Sequence, residues 1–233
     1  MVEAVNILRS GEKFDLNLIS LRTVEGRGFE DSRLIRGSIL FNWVIPGSPK
    51  RMEDARIAII RDSIQIKRDK SILDMTIDAS QIKSLLEKEE EMLRRVVGRV
   101  KEVGANVVIC KGDIDLRAQG MFSSEGIFTV EKVLKPEDLD HLSLATGAKI
   151  VPRLEDLCAE DLGRAEVVEE GKIAEEEIIF FEGCADPRAC TFFIRGGTKE
   201  VVKEHRKVVY DAIYAVGNAY EEPFVVPGGG AVE

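Results

Sequence analysis

Few residues in this chain could assemble a catalytic or ligand site. There are two histidines, His141 and His205. Each falls in a helical pattern with no cysteine or second histidine at ligand spacing, so no metal site is expected. The four cysteines, Cys110, Cys158, Cys184 and Cys190, form no C-x-x-C pair. Three lie in or beside apolar strand patterns, which reads as reduced structural thiols of a cytoplasmic protein. A Cys184–Cys190 disulfide stays open as an alternative. No G-x-S-x-G, H-E-x-x-H or Walker A pattern occurs. Carboxylates are abundant but not paired in an apolar setting, so general acid–base chemistry has no support. Asp211 stands beside the apolar stripe of its helix and reads as a solvated residue. Gly228-Gly229-Gly230 is a weak phosphate-loop signal and reads more simply as a hinge. From these residues alone the chain is not an enzyme.

The totals narrow the class further. With 44% hydrophobic and 32% charged residues, 233 residues can bury a real core, as one large domain or two small ones. The net charge of -9, with no dense basic stripe, argues against nucleic acid as a partner. No apolar run approaches the roughly 18 residues of a membrane span, and no signal-peptide pattern follows Met1.

The elements that would position any site are organised around residues 106–151. NVVIC (Asn106–Cys110) reads as a buried strand, and Ile114, Ala118, Met121 and Phe122 form a helical stripe. Ile127–Val130 is the next strand. A helix then opens at Lys135-Pro136, carries Leu139, Leu142 and Ala145 on one stripe, and stops at Gly147. Lys149–Val151 closes a βαβαβ unit with parallel pairing and right-handed crossovers. The fold class is α/β.

Upstream, residues 1–10 read as the tail of a helix, Phe14–Leu21 as a strand, Arg22–Ser32 as a connection, Leu34–Val44 as one strand and Ala55–Ile60 as another. Arg61–Ser80 is an extended excursion with interleaved charges, either an edge hairpin or an arm that meets another chain. Asp78–Gly104 is the longest helix, with Asp78 and Gln81 as a capping pair and Glu87–Glu91 as a solvated face. Its stripe includes Ile82, Leu85, Leu86, Met92, Leu93, Val96, Val97, Val100 and Val103. Gly98 within it suggests close approach of a packing partner. Downstream come a short acidic helix or turn over Pro152–Leu162 and a hairpin of Ala165–Glu170 and Glu177–Glu182 turning at Gly171-Lys172. Cys190–Arg195 is the next strand, and a helix capped by Thr198 runs to about Ala219.

Several stretches in order resemble one family. IPGSPKR (Ile45–Arg51), GANVVIC (Gly104–Cys110), Ile114-Asp115, Ala118-Gln119 and Gly126-Ile127 come first. LATGAKIV (Leu144–Val151), EDLGRAEVVEE (Glu160–Glu170), FFEGCADPRACTFFIRGGT (Phe180–Thr198) and VVPGGGAVE (Val225–Glu233) follow. Together they resemble the middle part of a group II chaperonin subunit, the family of the archaeal thermosome and the eukaryotic cytosolic chaperonin, across essentially the whole chain. The family's GDGTT-type phosphate loop is nowhere in the sequence. An excised fragment or a naturally truncated paralogue is therefore expected.

The resemblance implies a β-sandwich flanked by helices, with a helical protrusion, plus a small α/β domain. Residues 1–36 and 195–225 would form the intermediate domain. Residues 37–194 would be the apical domain, with the protrusion near 61–95, and 226–233 a stub of the equatorial domain. It also implies that unfolded polypeptide binds at Ile114, Ala118, Met121, Phe122, Leu139, Leu142 and Leu144. Asp138 and Asp140 would keep that binding loose. A lid protrusion would carry Ile64, Ile66, Ile72, Leu73 and Met75. In an intact subunit Asp211 would help activate water on ATP, and Gly228, Gly229 and Gly230 would line the nucleotide pocket with Mg. For this chain alone no cofactor is expected. Its partners would be unfolded polypeptides and other chaperonin subunits, and the isolated chain a monomer or weak oligomer. Gly120 and Met121-Phe122-Ser123-Ser124 depart from the family. The alternative is a stand-alone holdase or a regulator that docks on full-length subunits.

Overall fold

The computed structural model describes residues 2–7, 18–65, 79–184, 188–221 and 224, with the side chains of 6, 7 and 79–83 outside the description. In chain order the first elements are α1 (Val2–Ile7), β1 (Ile19–Glu25), β2 (Arg33–Ile35), β3 (Ser38–Leu40), β4 (Arg51–Ile60), α2 (Ala79–Val103) and β5 (Val107–Cys110). Next come α3 (Leu116–Ser124), β6 (Phe128–Val130), α4 (Pro136–Thr146) and β7 (Ile150–Val151). The chain continues with β8 (Gly163–Ile173), β9 (Glu176–Glu182), β10 (Cys190–Gly196) and α5 (Lys199–Glu221).

The larger sheet runs β3-β9-β8-β4-β5-β6. Its strands alternate strictly. Ile57, Ile59, Val107, Ile109, Phe128 and Val130 point to one face, where Leu139 and Leu142 of α4 cover them. Ala58, Ile60, Val108 and Cys110 point to the other, under Leu93, Val97 and Val100 of α2 and Ala118 and Phe122 of α3. A period of two in the strands therefore forces helices onto both faces. β4, β5 and β6 are parallel, as expected. The third strand of the expected unit behaves differently, because β7 pairs with β4 rather than with β6. The antiparallel pairing of β8 with β4 ends at Ile57, and β7 takes up the freed edge at Ile59 and Ile60.

The smaller sheet, β1-β10-β2, packs against α5 and α1 through Ala4, Phe192, Ile194, Val209 and Ile213. A shared cluster of Val24, Ile35, Ile39, Ile178 and Phe193 joins the two sheets, with Phe180 edge-on to Phe193 at 5.7 Å. The chain crosses between sheets after β2 and again between β9 and β10. At the first crossing Gly37 has φ 155°, and a Cβ there would sit 2.0 Å from the Phe181 carbonyl oxygen, so only glycine fits.

Several expectations are corrected here. Of the strand read at Phe14–Leu21, residues 14–17 lie outside the described residues; β1 runs from Ile19 to Glu25, so Arg22–Glu25 is strand and not connection. The single run Leu34–Val44 is two short strands in different sheets, broken at Gly37. The hairpin turns at Ala174-Glu175 rather than Gly171-Lys172. Gly171 stays in β8, where the Phe180 ring packs close over it. β10 lies wholly in the small sheet, so a boundary at 194/195 would split it. Among the described residues nothing lies within 4 Å of a Cβ built on Gly98, so none of them is the close packing partner expected there. Residues 152–162 form two short 3-10 turns. Leu86 and Met92 are exposed rather than part of the buried stripe.

Candidate functional site

α3 and α4 flank the larger sheet on opposite faces, and their ends are chemically marked. Asp115 caps α3 by accepting a hydrogen bond from the Arg117 backbone N–H at 2.9 Å. α4 starts with Pro136 and ends on Gly147 in the left-handed conformation, φ 76°. The start of α3 is anchored by buried Glu131, which accepts from the Ile114 N–H at 2.8 Å and from Gln119 Nε2 at 3.0 Å. Asn42 Nδ2 donates to the Glu131 carbonyl at 2.9 Å. Arg117 bridges to Glu89 of α2 at 3.1 Å. That contact buries Glu89, which corrects the reading of Glu87–Glu91 as an uninterrupted solvated face.

The structure places the expected polypeptide-binding residues mostly inside. Ile114, Ala118 and Phe122 are buried against α2 and the sheet, with Met121 packed half-buried beside them. Leu139 and Leu142 are buried under α4. Of the seven, Leu144 alone is exposed, at 39%. The physical reason is that an apolar stripe at helical spacing marks the face a helix buries, not the face it offers. The side chains that α3 and its neighbours do offer are Leu116, 80% exposed, and Leu134, 79% exposed, with Trp43 also exposed. Leu116 falls two residues after Ile114, on the far side of the helix from the stripe. A large apolar residue out of phase with its stripe is the signal that would have found it.

The lid residues are divided likewise. Ile64 is buried in the core under α2 and bridges in parallel to Ile114, so it belongs to the body of the fold and not to an excursion. Ile66, Ile72, Leu73 and Met75 lie outside the described residues, as do Gly228, Gly229 and Gly230. Asp211 is exposed on α5; the Lys207 pKa is raised chiefly by its hydrogen bond and ion pair with Glu204, with Asp211, one turn away, adding to the shift.

α4 also joins the two sheets. Arg22 of β1 forms a largely buried ion pair with Asp138. His141 Nδ1 lies 3.0 Å from Ser38 Oγ, and Nε2 lies 3.2 Å from the Cys190 carbonyl oxygen. A carbonyl only accepts, so Nε2 carries the proton and Nδ1 accepts from the Ser38 hydroxyl. Burial pushes the His141 pKa below its ordinary value, and the hydrogen bond to Cys190 opposes that only in part. The three buried cysteines, Cys110, Cys184 and Cys190, are free thiols whose pKa burial raises to about 12, while Cys158 is exposed. No disulfide joins Cys184 to Cys190. Among the described residues no cluster of three His, Cys, Asp or Glu could hold a metal. No described helix is long and apolar enough to cross a membrane.

Fold and surface describe a mixed α/β chain in which a helix-flanked sheet stands on a smaller one, with apolar side chains rather than a catalytic set on its outer helices. The TCP-1/cpn60 chaperonin family model matches residues 1–233. A thermosome subunit of Pyrococcus horikoshii is 44% identical over 238 residues, covering 100% of this chain and 43% of that protein. One from Methanopyrus kandleri is 44% identical over 221 residues, covering 94% and 40%. A solved open-state monomer of a group II chaperonin from Methanococcoides burtonii superposes with a TM-score of 0.78 at 30% identity, covering 98% of this chain and 52% of that one. The chain belongs to the TCP-1/cpn60 chaperonin family. It spans less than half the length of these curated relatives.

Proposed function

We propose that this chain is the polypeptide-binding portion of a group II chaperonin, with residues around 37–184 as the apical unit and the smaller sheet with α5 as the intermediate unit. The observation that carries the reading is that Leu116 and Leu144 project from helices whose opposite faces are locked into the core. Rigid helices offering isolated apolar side chains among charges give weak, reversible contact with any exposed hydrophobic segment. Asp140, exposed on the same helix as Leu144, keeps the surface polar enough to release what it holds. The contact points are thus Leu116 on one side of the larger sheet, Leu144 on the other and Leu134 just before α4, and the buried stripes serve to hold them in place. The excursion after Ile64, with the first turns of α2, is the lid segment. Exposed Leu86 and Met92 on α2 support contact with other chains there.

In an intact subunit Asp211 would be the residue that meets ATP and Mg, and its exposure on α5 suits a role completed by further polypeptide. The described residues provide no phosphate cradle beside it, so no catalytic step is assigned to this chain alone. The assay for the binding function is suppression of aggregation of a heat-denatured protein without ATP. The wild type should protect, and a folded Leu116→Asp/Leu144→Asp variant should not. Equal protection by both would remove these side chains from the site.

A second reading, docking onto full-length subunits, is favoured by one feature. Val201, Val208, Tyr210 and Tyr214 of α5 are all exposed. Co-elution with a full-length chaperonin, lost on Val208→Asp, would support it.

A further inference from the structure

A small cavity between the two sheets has a wall chemistry that the chaperonin reading does not use. It measures about 350 Å3 and is lined by Gly26, Arg27, Lys172, Ile173, Ala174 and Arg195. Three of the six are cations and none is a carboxylate. Arg195 is only 5% exposed, and among the described residues its guanidinium forms no ion pair, the charge of Asp31 acting on it only from a distance. Nε donates to the Gly26 carbonyl at 3.0 Å, and Nη2 to the carbonyls of Gly26 at 2.8 Å and Glu25 at 3.3 Å. Nη1 has no hydrogen-bond partner among the described residues, yet it is not one of the fully enclosed orphaned atoms. Arg195 lines the cavity and keeps this donor unused. Its carbon also lies 5.5 Å from the centre of the Phe193 ring. A guanidinium held by backbone carbonyls and a ring face, without an ion pair of its own, is stabilised by an anion that reaches it.

The other two cations line the same cavity. Lys172 stands opposite Glu177 in the β8–β9 hairpin but makes no ion pair with it. Arg27 reaches only a long, exposed contact with Asp31 at 3.7 Å. The Arg195 pKa is lowered by burial first and by the charge of Arg27 second, with Asp31 opposing both, so the two guanidiniums repel and Asp31 offsets that in part. Arg27 and Ala174 both hold left-handed backbone, with φ 67° and 57°, which non-glycine residues avoid. The adjoining cleft is unlike this one, since Lys199, Lys203 and Arg206 there face Glu25, Glu175 and Glu176.

We propose that this cavity binds a small oxyanion of the phosphate class, with Arg195 Nη1 at its floor and Lys172 and Arg27 closing over the anion from the hairpin and from the end of β1. A tetrahedral oxyanion has acceptors enough for three separate cations, and a planar guanidinium at the floor suits it. Because the hairpin belongs to the larger sheet and Arg27 and Arg195 to the smaller, the bound anion ties the two together.

The test is isothermal titration of the whole chain with sodium phosphate against sodium chloride at matched ionic strength, with thermal unfolding as a second readout. Saturable phosphate binding is expected, with a rise in unfolding temperature that chloride does not produce. Lys172→Gln and Arg27→Gln, with folding checked by circular dichroism, should each weaken binding at least tenfold, and Lys203→Gln in the adjoining cleft should not. Arg195 is left intact because it also holds the Gly26 carbonyl. A parallel titration with glycerol 3-phosphate separates the sources. Binding of both assigns the shared phosphate group, and binding of inorganic phosphate alone restricts the site to the free ion. Absence of saturable binding by the wild type, or undiminished binding by both cavity variants, would overturn the proposal.

Discussion

Asp138→Ala should uncouple α4 from the small sheet at a cost well beyond that of a surface ion pair. Arg22 and Asp138 are only 17% and 12% exposed at their side chains, so their charges are weakly screened. Arg22 Nε is already enclosed without a hydrogen-bond partner. Removing Asp138 leaves a mostly buried guanidinium over the Phe41 ring, 5.8 Å from its carbon, and close enough to act on neutral His141. Breaking a buried pair by deleting one partner costs about 3–5 kcal/mol. Partial exposure puts this one near the lower end, ~3 kcal/mol. For a chain of this size that is a fall in unfolding temperature of roughly 6–12 °C. Urea denaturation should show the midpoint lowered with an unchanged slope. The double variant Arg22→Met/Asp138→Leu should recover much of the loss, because it removes the orphaned charge. A loss below about 1 kcal/mol for Asp138→Ala, the range of exposed pairs, would refute the argument that α4 is a buried electrostatic joint.

Three further outcomes follow from the same contacts. His141 is held neutral, its pKa below the ordinary 6.5, with Arg22 adding to the depression and Asp138 opposing it. The unfolded chain therefore takes up a proton first, and stability should fall as the pH drops through about 6.5 toward the folded value. His141→Gln should flatten that part of the stability–pH curve, and an unchanged slope would exclude the residue as its source. Gly37→Ala should cost at least ~3 kcal/mol or prevent folding, because its Cβ would overlap the Phe181 carbonyl oxygen; soluble expression with a native melting temperature would contradict this. Under native conditions a thiol reagent should label one cysteine per chain quickly, Cys158, and all four only in denaturant. Fast labelling of Cys110, Cys184 or Cys190 would mean that the core opens.

What could be read in the sequence had local chemical markers. α4 begins and ends where Pro136 and Gly147 place it, because both termini are set by backbone preferences of single residues. β4, β5 and β6 were legible from dense β-branched runs. The reading ended β1 too early because the strand character of Arg22–Glu25 comes from pairing with β10, which local alternation does not encode. The hairpin turn was misread because Gly171 serves the Phe180 ring and not a turn. The surface was harder still. Periodicity finds buried stripes, and it led to Ile114, Phe122, Leu139 and Leu142, whereas the exposed leucines at 116 and 134 break the pattern. Burial of Glu89 depends on Arg117 from another helix, and no single segment announces such a pair.

The central claim is that non-native polypeptide lies on the outer faces of α3 and α4. The direct measurement is site-specific photo-crosslinking of a permanently unfolded protein to this chain, with the crosslinker placed in turn at positions 116, 134, 144 and, on exposed α5, 208. Strong adducts from 116, 134 and 144, with little from 208, are the predicted result. Adducts mainly from 208, or equally from all four positions, would contradict it.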